Sequence, residues 1–161
     1  MYRRIDKDAP LEQGEIFDDC PTLYWTLEAG IRKATESIER VIVLSQACDL
    51  ANTKTTRVQV ALVHEAEKLV RQGIVTPNTI RDQLVRHRIF GWYFLPSCEN
   101  LPESVVDFRD IHTVPRELLE DLAVNNKRVC AVVTPYREHL AQHFAVTFSR
   151  IGLPEPYQSE P

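Results

Sequence analysis

The sequence predicts an α+β fold in which a small, strongly bent antiparallel sheet forms a barrel and helices pack on it. Strand signals dominate, and from residue 11 to residue 64 they follow one another too closely for the crossover helices of a parallel sheet. Helical periodicity is confined to an insertion near residues 65–90 and to segments after residue 114. This order of signals is typical of a barrel with an added helical layer rather than of a series of β-α-β units.

The strands are predicted from runs of β-branched and aromatic residues. Residues 40–45 give the strongest signal, because their uninterrupted apolar run indicates a strand that is buried on both faces. Residues 56–64 alternate, with Val58, Val60 and Leu62 on one face. Further strands are predicted at residues 11–17, where Gly14 forms the entering turn, and at residues 20–29, 90–96, 104–114 and 128–134.

Helices are predicted where the period changes. Residues 65–73 end at Gly73, and residues 76–88 begin with Thr76 as a capping residue and Pro77 at the first helical position. An amphipathic helix follows over residues 115–123. The final helix is capped by Thr134, opens at Pro135, carries an apolar stripe and ends at Gly152; the stripe is Tyr136, Leu140, Phe144, Phe148 and Ile151.

Length and charge limit the classes of function. The 161 residues fit one domain, predicted over residues 1–152 and followed by a Pro-rich tail, residues 153–161, that we expect to be mobile. The net charge of −4 provides no general attraction to nucleic acid or to anionic membranes, so a role in RNA binding requires a local basic patch. The first residues lack a signal-peptide core and no segment has membrane-spanning length, which predicts a cytoplasmic protein.

The four cysteines are widely spaced, and none belongs to a Cys-x-x-Cys pair. In a reducing cytoplasm we expect Cys20, Cys48, Cys98 and Cys130 to be separate thiols. Zinc-ligand spacing and cofactor-binding motifs are absent from the sequence, so no metal and no cofactor are predicted.

A dense set of polar side chains follows the strongest strand, in the segment RVIVLSQACDLAN at residues 40–52. One interpretation is a turn in which these groups bond the local backbone and Cys48 packs as a small apolar residue. The other is a binding or catalytic site at the mouth of the barrel, because a buried strand holds its last residues rigidly. In that case Cys48 acts as a nucleophile if a neighbouring His or Arg lowers its pKa. The polar residues are Ser45, Gln46, Cys48, Asp49 and Asn52.

The start of the final helix carries a second polar cluster. Arg137 and His139 lie beside the amide groups of the helix N-terminus, an arrangement that favours an anion pocket. His139 and His143 share one helix face, but no third metal ligand accompanies them, which favours a solvated face over a two-His metal site. If this helix packs near Cys48, the two polar clusters form one site.

Three segments resemble, in the same order, the MazF/PemK family of small SH3-like barrels, best known as ribonuclease toxins. They are QGEIF at residues 13–17, RVIVLSQACDLAN at residues 40–52 and VVDFRDIHTVPRELLEDL at residues 105–122. The match extends over roughly residues 11–122 and is interrupted by the helical insertion. The resemblance implies a toxin-type protein that binds or cleaves RNA without a metal, an antitoxin or regulatory protein as partner, and a homodimer.

The sequence also departs from the family pattern. The family places an Arg-Pro pair before the apolar strand, whereas Arg40 is followed here by Val41. The family hydroxyl at the end of the next strand has no counterpart in VALVHEAE, which offers His64 instead. The resemblance therefore implies Arg40 and His64 as catalytic residues that promote attack of a ribose 2′-hydroxyl on the adjacent phosphate.

Two other hypotheses stay open. The first is a non-catalytic regulatory module whose groove binds a protein segment or a small anionic ligand. The second is a thiol enzyme that uses Cys48. The candidate ligand-binding residues of the groove are Ser45, Gln46, Cys48, Asp49, Asn52, Arg137 and His139.

Overall fold

The structure is a computed structural model that describes residues 1–52 and 55–149. Within these residues it contains seven strands, five α-helices and one π-helical segment. The strands are β1 (Tyr2–Arg3), β2 (Glu15–Glu28), β3 (Ile31–Val43), β4 (Arg57–Glu65), β5 (Trp92–Leu95), β6 (Ser104–Pro115) and β7 (Arg128–Val132). The helices are α1 (Ala47–Ala51), α2 (Ala66–Arg71), α3 (Pro77–Thr79), which the π-helical segment Ile80–Leu84 continues, α4 (Arg116–Val124) and α5 (Tyr136–Phe148). The predicted helix end at Gly152, Ile151 of the apolar stripe and the predicted tail lie outside the described residues.

All seven strands form one sheet in the order β1-β7-β2-β3-β4-β6-β5. Every neighbouring pair is antiparallel, which confirms the predicted mixture of helices with an antiparallel sheet. β1 and β5 are the two edges, and across the described residues they do not pair with each other. The sheet is therefore open, where a closed barrel was predicted.

Irregular pairing interrupts the sheet at three places. The register shifts between Phe17 and Cys20 where β2 meets β3, between Ile16 and Phe17 where β2 meets β7, and between Ala61 and Leu62 where β4 meets β6. Each such irregularity adds local twist and bends the strand that carries it. The central strands β2 and β4 carry these irregularities.

β2 and β3 form one long hairpin, which the sequence analysis predicted only in part. The strands predicted at residues 11–17 and 20–29 are a single strand, and β3 begins at Ile31 instead of residue 40. Its first half was missed because residues 31–39 carry no apolar run and are largely exposed. Ala29 and Gly30 have φ angles of 50° and 81°, the backbone of a two-residue hairpin turn of the I′ type.

Helices cover both faces of the sheet. On one face Leu119 and Leu122 of α4 pack against Val58 and Val60. On the other face Leu140 of α5 packs in a cluster that includes Ile16, Ile42 and Phe108. The side chains of Val41, Ile42 and Val43 are fully buried, which confirms that this part of β3 is covered on both sides.

The helical insertion forms a third packed cluster. Leu69, Ile80 and Leu84 contact Trp92 and Phe94 of β5. Thr76 caps α3 as predicted, because its hydroxyl oxygen accepts a hydrogen bond of 3.1 Å from the Thr79 amide, and Pro77 occupies the first turn.

The start of α5 differs from the prediction in one detail. Thr134 does not cap α5; its hydroxyl donates instead to a carboxylate oxygen of Glu138 at 2.9 Å. Leu140 is the buried centre of the predicted stripe, while Tyr136 and Phe148 are about half exposed. Among the described helices, none is long and apolar enough to span a membrane.

Candidate functional site

A pocket of about 980 Å³ lies between the end of β3, the start of β4 and α5. This volume is at the upper end of the range for small-molecule sites. We call it the strand-end pocket. Its lining residues are Gln13, Leu44, Ser45, Gln46, Ala47, Cys48, Asp49, Thr55, Arg57, Gln59, Thr113, Arg137, Glu138, Ala141, Phe144 and Ala145.

The floor of the strand-end pocket is fixed by hydrogen bonds between β4 and the residues after β3. The amide of Leu44 donates to the carbonyl of Gln59 at 2.9 Å. The hydroxyl oxygen of Ser45 accepts a hydrogen bond from the Gln59 amide, also at 2.9 Å. Ser45 therefore bonds the neighbouring strand and not its own turn, which corrects the interpretation of this residue as a local turn former.

The residues after Ser45 form the short helix α1, where one of the two interpretations expected a turn. The amides of Asp49 and Leu50 both donate to the carbonyl of Gln46, at 3.0 Å each. Leu50 is buried in the cluster beneath α4 and anchors the helix. Gln46, Ala47, Cys48 and Asp49 of this segment line the pocket.

Two arginines of the described residues line the strand-end pocket, and their surroundings differ. One guanidinium nitrogen of Arg137 lies 3.0 Å from a carboxylate oxygen of Glu138, and another lies 3.7 Å from Glu12. Arg57 is exposed, and its side chain has no hydrogen bond or ion pair within residues 1–52 and 55–149. Among the pocket residues that the structure describes, Arg57 is therefore the arginine whose guanidinium is available to an anion from solution.

Gly14 lies beside Arg137 in a backbone conformation that favours glycine. Its φ angle is +83°, and an added Cβ would lie 3.2 Å from the carbonyl oxygen of Val132 and 3.5 Å from Cγ of Arg137. A side chain at Gly14 would therefore be strained and would crowd the Val132 carbonyl, whereas its contact with Arg137 would be an ordinary one. Gly14 directly follows Gln13, which lines the pocket.

Cys48 is exposed at the rim of the pocket. Its Sγ lies 3.6 Å from Oε1 of Gln46 and 3.9 Å from Oδ1 of Asp49. The pocket lining contains no histidine in the part of the chain that the structure describes. A nucleophilic thiol needs a base or a cationic neighbour, so the contacts of Cys48 give the thiol-enzyme hypothesis no support.

The structure brings Ser45, Gln46, Cys48 and Asp49 together with Arg137, so the strand end and the final helix meet in one pocket. Asn52 and His139 do not line it. Asn52 follows α1, and its carbonyl accepts a hydrogen bond of 3.3 Å from Arg116. His139 points to the opposite side, where its Nδ1 lies 3.1 Å from the hydroxyl of Tyr93.

His139 belongs to a cluster of three histidines around Tyr93. His143 is buried, and its Nε2 donates to the carbonyl of Trp92 at 3.1 Å, so the prediction of a solvated face is wrong for this residue. The ring of His87 stacks on Tyr93 at 4.4 Å. Burial, with smaller contributions from His139 and His143, lowers the pKa of His87 to about 4. No group of three or more His, Cys, Asp or Glu side chains in the described part of the chain is arranged to hold a metal ion.

Arg40 and His64, the implied catalytic pair, line a second pocket of about 360 Å³. We call it the Arg40 pocket. The guanidinium of Arg40 contacts both carboxylate oxygens of Asp18, with Nη2 donating to Oδ2 at 3.1 Å. This hydrogen bonding raises the pKa of Arg40. Nη1 of Arg40 is buried and has no hydrogen-bond partner within the described residues.

The charges around the Arg40 pocket oppose binding of a phosphate backbone. In the described part of the chain, four carboxylates line it, against the two cationic side chains of Arg40 and Lys68. The carboxylates belong to Asp18, Asp19, Glu39 and Glu65. Ser and Thr are absent from the lining that the structure describes, so the family hydroxyl has no spatial substitute there.

Sequence reasoning missed Arg57 and Gln59 of the strand-end pocket. A signal was present, because the alternation that buries Val58 and Val60 places Arg57 and Gln59 on the opposite face of β4. The sequence contains no signal that α5 packs over that face of β4. Comparison with known proteins found no matching family model and no matching curated protein.

Proposed function

We propose that this protein is a non-catalytic regulatory module that binds a small anionic ligand in the strand-end pocket. The observation that carries the proposal is Arg57, which has no side-chain partner among residues 1–52 and 55–149 and lines a pocket of ligand-binding size. An arginine presents a planar set of donors that matches a carboxylate or a phosphate group. An unpaired guanidinium at the wall of a preformed cleft is therefore suited to hold the charged end of a ligand.

The other lining residues suit the body of such a ligand. Gln46 and Gln59 provide amide donors and acceptors, and Leu44 and Phe144 provide apolar surface. The carboxylates of Asp49 and Glu138 add negative charge to the same lining. They disfavour polyanions and favour a ligand with one anionic group and several hydrogen-bond donors.

The test is thermal unfolding in the presence of three probes: glutamate, adenosine monophosphate and inorganic phosphate. Each is added up to about 10 mM, which detects millimolar binding. At about 100 times the dissociation constant, linkage gives about 2.7 kcal/mol, or about 5–10 °C in melting temperature for a chain of this size. We expect at least one probe to stabilise the wild type.

The matched variants are Arg57→Gln and Arg71→Gln, which remove the same charge. Arg71 lies on α2 and does not line the pocket. Stabilisation should be lost in Arg57→Gln and retained in Arg71→Gln. An unchanged melting temperature with all three probes, or equal stabilisation of both variants, would contradict the proposal.

We infer a second candidate function from the Arg40 pocket: an RNA-directed, toxin-type protein with an antitoxin-type partner. The supporting observation is that Arg40 and His64 line the same pocket although they lie on different strands. In this proposal the sheet is an opened relative of the MazF/PemK-like SH3-like barrel. His64 accepts the proton of a ribose 2′-hydroxyl, whose oxygen attacks the adjacent phosphorus while the 5′-oxygen leaves. Arg40 stabilises the charge on the phosphate oxygens, which requires it to turn away from Asp18.

This second proposal is tested with a long single-stranded RNA incubated with purified protein in EDTA and read on a gel. Cleavage by the wild type and by Arg71→Ala, and its loss in Arg40→Ala, would support the RNA-directed function. The absence of cleavage by the wild type over a wide range of protein concentrations would refute catalysis at the Arg40 pocket.

A further inference from the structure

The long hairpin exposes an unusual row of large apolar side chains. Leu23, Trp25 and Leu27 are 62%, 74% and 71% exposed, and Ile38 is 58% exposed. Alternation along β2 places the first three on one face, and the register places Ile38 on the same face opposite Pro21. We call this surface the outer face of the hairpin. Such a continuous apolar row on a soluble chain marks an interaction surface.

The opposite face of the hairpin is fixed to the body of the protein. Thr22 is buried there, and the ring of Tyr24 packs edge-on against His112 at 5.0 Å. Tyr24 also contacts the apolar cluster beneath α4. The hairpin cannot fold its outer face onto its own domain without breaking these contacts, so an occupant has to come from outside.

The charges on the outer face are arranged symmetrically about its centre. In the register of the hairpin, Trp25 lies opposite Ala34, Leu27 lies opposite Arg32 and Leu23 lies opposite Glu36. Arg32 and Glu36 therefore lie at equal distances on either side of Ala34. Neither side chain has a hydrogen bond or an ion pair in the part of the chain that the structure describes.

We propose that the outer face binds the outer face of a second copy of this chain. The two-fold axis runs across the strands at the level of the Trp25–Ala34 pair. This axis places Trp25 against Trp25 of the second copy. It also places Leu23 against Leu27 and Arg32 against Glu36 of the second copy. The face is thus complementary to itself in apolar contact and in charge, which is the requirement for an isologous dimer.

The alternative two-fold axis, parallel to the strands, does not satisfy the same chemistry. It would place Leu23 on Glu36 and Leu27 on Arg32 of the second copy. Two apolar side chains would then bury two charges at each end without a partner for them. The charge pattern therefore selects the antiparallel arrangement of the two hairpins.

The contact area defines the expected strength. A two-stranded ribbon provides less than the roughly 800 Å² per partner of a standard interface, so we expect a weak dimer with a dissociation constant on the order of micromolar. Trp25 at the centre is the expected energetic anchor. The strand-end pocket follows the other end of β3, so dimerisation leaves it open and is independent of the proposed function.

The experiment is sedimentation velocity from about 1 to about 300 μM, a range that brackets weak interfaces. The variants are Arg32→Glu, Glu36→Arg, the double exchange of both, and Trp25→Ser. Each single reversal creates two like-charge pairs per dimer and should raise the dissociation constant at least about tenfold, a loss of about 1.4 kcal/mol. The double exchange restores opposite charges and should restore dimerisation. Trp25→Ser should weaken the dimer more than either reversal.

The three substituted side chains, Trp25, Arg32 and Glu36, are exposed in the monomer, so thermal unfolding at low concentration confirms that the variants fold. A wild type that stays monomeric throughout the range would overturn the proposal. Dimerisation that is indifferent to Trp25→Ser and to both single reversals would place the interface elsewhere. Failure of the double exchange to recover what the single reversals lose would overturn the antiparallel arrangement.

Discussion

At the scale of single residues, His87 couples stability to pH. In the folded chain its pKa is lowered to about 4 by burial and by His139 and His143, from an ordinary value of 6.5. Below pH 6.5 His87 therefore becomes protonated in the unfolded chain while it stays neutral in the folded chain. The contribution of neutral His87 to the free energy of unfolding is therefore fully present above pH 6.5 and is lost as the pH falls towards 4.

The corresponding prediction compares His87→Asn with the wild type in urea unfolding at pH 7.5 and pH 5. Asparagine tolerates the positive φ of 51° at this position and does not titrate. We expect the variant to lose less stability than the wild type between the two pH values. His64→Asn, outside the histidine cluster, is the control. An identical pH dependence in His87→Asn and the wild type would contradict this role.

Glu15 acts in the opposite direction. Burial raises the pKa of its carboxyl from 4.5 to about 7, although Nε of Arg128 lies 3.4 Å from Oε2 and opposes the shift. Between pH 4.5 and pH 7 the folded chain keeps a proton on Glu15 that the unfolded chain releases. The contribution of Glu15 to the free energy of unfolding is therefore present below pH 4.5 and is lost as the pH rises towards 7. We expect Glu15→Gln to gain stability relative to the wild type from pH 5 to pH 8. Parallel stability curves in urea unfolding would contradict this.

At the scale of elements, two glycines with positive φ offer a matched comparison. A Cβ at Gly30, in the hairpin turn, meets no atom within 4 Å, whereas a Cβ at Gly14 meets the Val132 carbonyl at 3.2 Å. Gly30→Ala should cost only the backbone strain, about 1–2 kcal/mol. Gly14→Ala should cost at least about 1 kcal/mol more, because the strand contact has to move. Chemical denaturation of both variants checks this, and equal losses would contradict it.

The helices and strands also show which parts of the fold could be predicted from the sequence. The apolar run at residues 41–44 and the capping residues Thr76 and Pro77 have local causes, and their structures were predicted. The first half of β3 is exposed, so its sequence carried no burial signal, and pairing with β2 alone holds it extended. α1 was missed because five residues are too few for a helical period, and packing of Leu50 beneath α4 stabilises it.

At the scale of the whole molecule, the candidate site was predicted only in part for a similar reason. The polar residues after Leu44 are visible in the sequence, but the pocket exists because α5 lies across the end of β3. That arrangement is a tertiary contact between distant segments. The open sheet likewise depends on which strands become edges, a property that no single segment carries.

The layered architecture predicts an uneven distribution of local stability along β3. Val41 and Ile42 pair with strands on both sides, and residues 41–43 are buried between helical layers, whereas residues 31–39 pair only with β2 among the described residues. Hydrogen exchange should therefore be much slower in residues 41–43 than in the arm of the same strand. Equal exchange along β3 would contradict this picture of the fold, and slow exchange in the arm that appears only at high concentration would indicate that the arm is covered.

The pairing of β1 with β7 has a consequence for the order in which the chain folds. It joins Tyr2 to Val132, and β7 also pairs with the start of β2, where Ile16 is fully buried. During synthesis on the ribosome, the edge of β2 near Ile16 therefore stays unpaired until residue 132 has emerged. Closing so long a loop comes late in folding and leaves an unpaired strand open to other nascent chains in the meantime. The yield of native protein should consequently depend on translation rate and chaperone supply more than its final stability suggests.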